Sequence, residues 1–339
     1  MTSLQLETFR ARLTDFLAHE TGVDVSIDNA TMLAGGASRD MWLIEAHIGG
    51  GQERLVLRRD LPTSMHEGAL TREQEFRLMQ TAYANGVKVA RPRFVCADPV
   101  VLEGAFFLMD FVDGIAIGRK VVTLPELVAA RAQLPDHMAE QLARIHRLDA
   151  SALEFLRRPS DSPAREAIRE TYEILDRLNV SNPAFEYALR WAERHAPTCD
   201  ALTFVHGDFR IGNLIVDAQG LAAVADWEFA HWGDPDEELG YLCMRDWRFG
   251  VIDKLMGGIG DREPFLQAYE RFSGRIVDRA AVDFWELLGN IRWGVICLAQ
   301  ANRHLSGRDP SVELASLGRR SAEMQHEMLR LIAHMEAQV

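Results

Sequence analysis

An α+β fold is predicted, with a small antiparallel sheet in the first third of the chain and a larger, mainly helical remainder. Three observations predict it. Strand-like apolar runs at residues 29–33, 41–48 and 54–58 crowd the N-terminal region, the last two separated by Gly49-Gly50-Gly51 as a turn. After Gly114 the apolar spacing becomes helical. With 339 residues, 47% of them hydrophobic, the chain can bury a large core or two lobes. The composition shift near Gly114 is the boundary candidate, giving an N-terminal part at 1–113 and a helical part at 114–339.

Taken in order, residues 4–21 form an amphipathic helix, because Leu6, Phe9, Leu13, Phe16 and Leu17 recur at helical spacing. The three strands follow. A helix over 71–84 opens on the capping box Thr71-Arg72-Glu73-Gln74, stops at Gly86 and buries Phe76, Met79 and Tyr83. Residues 101–111 read as two β pieces around Glu103-Gly104. In the helical part, Met138, Leu142 and Ile145 mark a helix over 136–148, with His146 near its end read as a structural contact. Asn182-Pro183 supplies an N-cap and a first-turn proline for a helix through Trp191. Trp285, Leu288, Trp293 and Ile296 give the apolar face of a helix over 284–301, and a last helix covers 313–337.

Composition excludes several classes. The four cysteines, Cys96, Cys199, Cys243 and Cys297, show no C-x-x-C spacing, which argues against zinc and fits a reduced, cytoplasmic protein. No apolar run is long enough to span a bilayer, and residues 1–12 lack the apolar core of a signal peptide; no membrane partner is expected. A formal net charge of −13 argues against nonspecific nucleic-acid binding and is read as an acidic surface that favours solubility.

Chemistry concentrates in His206-Gly207-Asp208-Phe209-Arg210-Ile211-Gly212-Asn213 and in Asp226-Trp227-Glu228. Residues 214–216 and 221–225 read as short buried strands joined by the turn Asp217-Ala218-Gln219-Gly220, so a hairpin carries Asn213 at its entrance and Asp226 at its exit. Phosphoryl transfer requires positioning and cations more than covalent chemistry. Asn213 and Asp226 offer the oxygen ligands magnesium prefers, while Asp208 can orient an acceptor hydroxyl and take its proton.

HGDFRIGNLIVD followed by VADWEFAHWGDPDEELGYL resembles the aminoglycoside phosphotransferase and choline kinase superfamily, protein-kinase-like enzymes that phosphorylate small molecules. The nearest branch is that of the kinase domains fused to acyl-CoA dehydrogenases. The resemblance covers roughly residues 33–307 and implies a bilobal protein-kinase-like fold with a sheet-containing N-lobe that binds nucleotide and a helical C-lobe that carries the catalytic loop. It further implies an ATP-dependent O-phosphotransferase, with ATP and Mg2+ as cofactors and a small-molecule hydroxyl compound (a hydroxyacyl compound, an aminoglycoside or another alcohol) as acceptor. Asp208 falls on the catalytic base, Asn213 and Asp226 on the metal ligands, and Arg210 beside the base. Asp234 braces the following loop, and Glu238 stands where the family usually has Asp. The glycine-rich turn containing Gly35, Gly36 and Ser38 falls over the nucleotide phosphates, and the backbone of Asp110 and Val112 at the adenine hinge.

Kinases usually carry a lysine on the third strand, paired with a helix glutamate. The three lysines here, Lys88, Lys120 and Lys254, fall on no suitable strand. Arg58 takes that place, with Glu75 or Glu73 as partner. Arg for Lys alters the geometry of phosphate contact, so a nucleotide-binding regulatory module without turnover is the alternative. The acceptor site is expected in the helical part, lined by Trp232, Tyr241, Trp247 or Trp293 if the acceptor is acyl or macrolide-like, or by Asp236, Glu237 or Glu238 if it is an amine. Monomer and homodimer both remain open.

Overall fold

The computed structural model describes residues 3–33, 40–60 and 69–337. The chain divides into two compact units. The first comprises residues 1–114 and also takes in 150–155 and 222–229; the second contains the rest.

In the first unit, α1 (Ser3–Thr21) precedes β1 (Val25–Met32), β2 (Asp40–Ile48) and β3 (Gly51–Arg59). Then come α2 (Arg72–Ala84), β4 (Pro92–Cys96), a four-residue turn of helix α3 (Pro99–Leu102), and β5 (Phe106–Asp110). The sheet has the order β1-β2-β3-β5-β4 and is antiparallel throughout. Leu57 on β3 lies opposite Trp42 on one side and Leu108 on the other. One sheet face is covered by α1, whose Phe9, Leu13 and Leu17 pack with Ile44, Leu55, Phe106 and Leu108.

The capping box at the start of α2 forms, Thr71 and Gln74 bonding each other's backbone N–H. Tyr83, expected in the buried stripe, is half exposed, while Leu78 and Ala82 are buried in its place. The β reading of 101–111 holds only for its second half. Asp98 caps α3 by accepting from the Val100 N–H, Pro99 fixes the first turn, and the chain reverses through Glu103 in the left-handed region. An N-cap followed by proline is a helix start, and it claims Val101 and Leu102 before any strand can.

The second unit begins with α4 (Gly118–Thr123), α5 (Val128–Ile145), α6 (Pro163–Arg177) and α7 (Pro183–His195). α5 starts eight residues before the expected position and runs through Pro135, a residue that removes one backbone N–H from the helix. Asn182 caps α7 as expected, accepting from the Ala184 and Phe185 N–H groups. β6 (Thr203–Val205) leads to the hairpin strands β7 (Leu214–Asp217) and β8 (Gly220–Val224), and the chain passes from the second unit into the first within β8. After its return, β9 (His231–Gly233) pairs antiparallel with β6, followed by α8 (Pro235–Cys243), α9 (Arg262–Ser273), α10 (Arg279–Leu305) and α11 (Val312–Glu336). The core of this unit is built on α10, with Trp285, Leu288, Ile291 and Val295 set against Phe185 and Leu189 of α7 and Met328 and Leu331 of α11. No helix among the described residues is long and apolar enough to cross a membrane.

Gly240 allows α8 to lie directly on α10. A Cβ built there would stand 2.6 Å from the Glu286 nitrogen and 2.7 Å from the Val282 oxygen, both backbone atoms that cannot swing aside. Gly240→Ala is therefore expected to destabilise the protein by about 1–3 kcal/mol through overpacking, read as a lowered midpoint in denaturant unfolding; an unchanged midpoint would show that the two helices part at no cost.

Candidate active site

In the second unit the loop that follows β6 carries the predicted base. Its first backbone groups are held by a side chain. The N–H groups of His206 and Gly207 donate at 3.0 Å to the two carboxylate oxygens of Glu238 on α8. His146 Nε2 lies 2.9 Å from Glu238 Oε2, and its Nδ1 lies 2.6 Å from the Tyr269 hydroxyl. A carboxylate only accepts, so Nε2 carries the shared proton and Nδ1 accepts from Tyr269. The extra methylene of Glu238 thus fits without loss of the contact, and His146 is the structural contact the sequence suggests. Gly207 sits at φ +82°, a conformation glycine adopts without strain.

Asp208 is buried. Its Oδ1 accepts from Tyr241 Oη at 2.8 Å and from Arg210 Nε at 3.0 Å, and its Oδ2 accepts from Asn213 Nδ2 at 2.5 Å. The tight turn at Ile211–Asn213 brings the Asn213 amide back to Asp208, where it also bonds the backbone oxygen at 3.0 Å. The Arg210 guanidinium stacks 4.5 Å from the ring centre of Trp247. Tyr241, Trp247 and Trp293 follow one another at 5.4 and 5.2 Å between ring centres, so three of the four expected aromatic residues cluster beside the base. Trp232 lies apart from them, under Arg158 at 3.9 Å.

The acidic residues Asp236, Glu237 and Glu238 each have partners within the protein, and Glu237 lines a small cavity with Glu166, Glu170 and Trp232. All three α8 residues are buried. Asp236 makes a two-pronged ion pair with Arg275, Glu237 faces His231 and Arg292, and Glu238 holds the loop. Asp234 caps α8 by accepting from the Asp236 N–H and receives the indole N–H of Trp285 of α10 at 3.2 Å. Burial pushes its carboxyl up to about 6, against the lowering effect of the Asp236 N–H.

The first unit holds a separate ionic cluster. Arg58 on β3 is buried, with Nη1 3.1 Å from Glu75 on α2 and Nη2 3.0 Å from Asp226 and 3.3 Å from Glu228. Glu75 is therefore the helix partner, and Glu73 is exposed. Arg72, one turn before Glu75 on α2, pairs with it and with Asp60 and Glu228. Burial alone would lower the Arg58 pKa; Glu75 and Asp226 outweigh it and raise it. Among the described residues, two guanidinium groups thus meet four carboxylates, Asp60, Glu75, Asp226 and Glu228. Asp226 is held at φ +68°, a left-handed conformation uncommon outside glycine and enriched at functional positions.

Arg72 and Glu228 were not singled out in the sequence. Arg72 was legible only as part of a capping box, and Glu228 only as a neighbour of Asp226. At the segment after β5, the Asp110 N–H donates to the Arg91 oxygen and the Phe111 N–H to the Arg54 oxygen. The Asp110 backbone N–H is therefore already engaged, and no bond to the Val112 N–H is found among the described residues. Gly35, Gly36 and Ser38 lie outside the described residues.

These features carry a family. Residues 29–285 match the model of the phosphotransferase enzyme family known as APH, and the chain belongs to that family. It is similar to mouse acyl-CoA dehydrogenase family member 10, 32% identical over 196 residues, covering 56% of this chain and 18% of the relative. It is also similar to a probable acyl-CoA dehydrogenase, IBR3, of Arabidopsis thaliana, 26% identical over 88% of this chain and 39% of the relative. The chain thus spans well under half the length of these relatives. Among solved structures, a candidate aminoglycoside phosphotransferase of Ralstonia eutropha superposes with a TM-score of 0.74 at 23% identity, covering 95% of this chain and 97% of the other. A spectinomycin phosphotransferase solved with ADP and spectinomycin superposes at 0.61 and 15%, covering 94% and 98%. The fold is protein-kinase-like, and family membership supports small-molecule kinase activity.

A carboxyl whose folded pKa is raised favours the protonated form in the native state. Asp234 therefore contributes stability below the unfolded aspartate value near 4 and loses it as pH rises through about 6. Asp234→Asn keeps an oxygen for the cap and removes the titration. Its unfolding free energy relative to the wild type should improve as pH goes from about 4 to about 6, measured by urea unfolding across that range; a constant difference would mean that Asp234 is not raised.

Proposed function

We propose that this chain is an ATP-dependent O-phosphotransferase that moves the γ-phosphate to a hydroxyl of a small molecule. The observation that carries the reading is Asp208, a buried carboxylate fixed by three donors on a loop that is itself held by Glu238. In this reading Asp208 orients the acceptor hydroxyl and takes its proton. Arg58, tied to Glu75, steadies the nucleotide phosphates from the first unit together with Gly35, Gly36 and Ser38, and the Asp110 carbonyl and Val112 N–H receive adenine. Arg210, beside the base, stabilises negative charge as the phosphoryl group transfers.

The donor chemistry suits magnesium. Asn213 donates its amide N–H to Asp208, which leaves its oxygen for a cation, and Asp226 offers a carboxylate. Magnesium held there would neutralise charge on the phosphates. The acceptor is best read from what surrounds Tyr241. Trp247 and Trp293 follow it, and Asp236, Glu237 and Glu238 of α8, like Arg210 and Arg292, are engaged with partners within the protein. This favours an acceptor with an apolar body.

The test is ADP release from ATP and magnesium over a panel of hydroxyl acceptors, wild type against Asp208→Ala. kcat should fall about 10²–10⁴-fold with the base removed, while ATP affinity changes little. ATP binding without acceptor-dependent release, or full turnover in the variant, would refute the assignment and favour a module that binds nucleotide without consuming it.

A further inference from the structure

The two oxygens of Asp208 are not equivalent. A carboxylate oxygen offers about two lone-pair directions. Both of those on Oδ1 are taken, by the Tyr241 hydroxyl at 2.8 Å and Arg210 Nε at 3.0 Å. Oδ2 accepts from Asn213 alone among the described residues. We propose that Tyr241 is a positioning residue for phosphoryl transfer, its hydroxyl fixing Oδ1 so that Oδ2 receives the proton of the acceptor. This rests on the reading of Asp208 as the base.

The step balances as follows. The acceptor O–H proton passes to Oδ2 as the acceptor oxygen bonds to the γ-phosphorus. The bond from that phosphorus to the β–γ bridging oxygen breaks, and ADP leaves with its electron pair. Oδ2 then returns the proton to solvent.

Three features fit Tyr241 to this task. It lies three residues after Glu238 on α8, so both side chains project from one face of the helix. That helix therefore sets the backbone of the loop through Glu238 and the carboxylate of the base through Tyr241. The ring is fixed against Trp247, so the hydroxyl is delivered by a side chain with little freedom. Burial first, and then the charge of Asp208, push the phenol well above its ordinary value, so it remains a neutral donor across the working pH range. A donor placed in this way orients the carboxylate without competing for the acceptor's proton.

The experiment uses the full chain with ATP and magnesium, and water, ethanol and glycerol as acceptors. Wild type, Tyr241→Phe and Asp208→Ala are compared by ADP release, KM for ATP and thermal midpoint. Phenylalanine keeps the ring against Trp247 and removes only the hydroxyl. A fall in kcat of about tenfold or more, with KM for ATP and the thermal midpoint unchanged, is the expected result. Wild-type kcat in Tyr241→Phe overturns the positioning role. A loss that appears instead as a raised KM for ATP or a lowered midpoint also overturns it, assigning the hydroxyl to stability. Release from wild type no faster than from Asp208→Ala would refute the base itself, and with it this proposal, and so separates the two failures.

Discussion

Glu238 accepts hydrogen bonds from two consecutive backbone N–H groups, those of His206 and Gly207, and the loop that bears Asp208 depends on this contact. A buried backbone N–H needs an acceptor, and for these two it is a side chain brought from α8. A carboxylate can serve both at once, and each such donor left unsatisfied costs about 1–3 kcal/mol. His146 orients the carboxylate and Tyr269 orients His146. The chain of contacts therefore runs from α9 through the end of α5 to α8 and then to the loop. With the first two residues fixed, the Asp208 N–H falls to His206 Nδ1 at 3.2 Å, and the side chain of Asp208 emerges where Asn213, Arg210 and Tyr241 meet it.

The first unit solves a different electrostatic problem with the same means. A lysine on β3 would bring one compact charge; Arg58 brings a planar fork whose two outer nitrogens address three carboxylates from α2 and from the 226–228 segment. That geometry ties sheet, helix and the late segment of the unit together. It also requires a second cation nearby, because Glu75 and Glu228 are too deeply buried to share one guanidinium, and Arg72 supplies it. Even so the carboxylates outnumber the guanidinium groups.

Much of this was legible because the signals were local. The spacing of Asp208 and Asn213, the hairpin before Asp226, the capping box at Thr71 and the Asn182-Pro183 start each depend on a few adjacent residues, and each is found where the pattern placed it. The choice between Glu73 and Glu75 was not legible, since it depends on which face of α2 meets the sheet. The strand at Pro92–Cys96 was missed because its first residue is a proline and its partner, β5, lies beyond α3. Arg72 and Glu228 escaped notice because their meaning arises only when β3, α2 and residue 228 are brought together, a long-range contact that no local pattern encodes.

The acidic run Asp234 to Glu238 shows why charge in a sequence is a poor guide to the substrate. Four carboxylates in five residues suggest a surface prepared for a cation. At the first turn of α8 they have other reasons to be there. Negative charge is favoured at a helix N-terminus by the exposed N–H groups and the dipole, and each carboxylate finds its own donor: the cap and Trp285 for Asp234, Arg275 for Asp236, His231 and Arg292 for Glu237, the catalytic loop for Glu238. The same nine-residue helix rests on α10 through Gly240 and reaches the base through Tyr241. Its acidity is thus taken up within the protein, and Glu238 alone of the four serves the loop. The charge pattern of this stretch is thus explained by the helix and its neighbours, without any substrate.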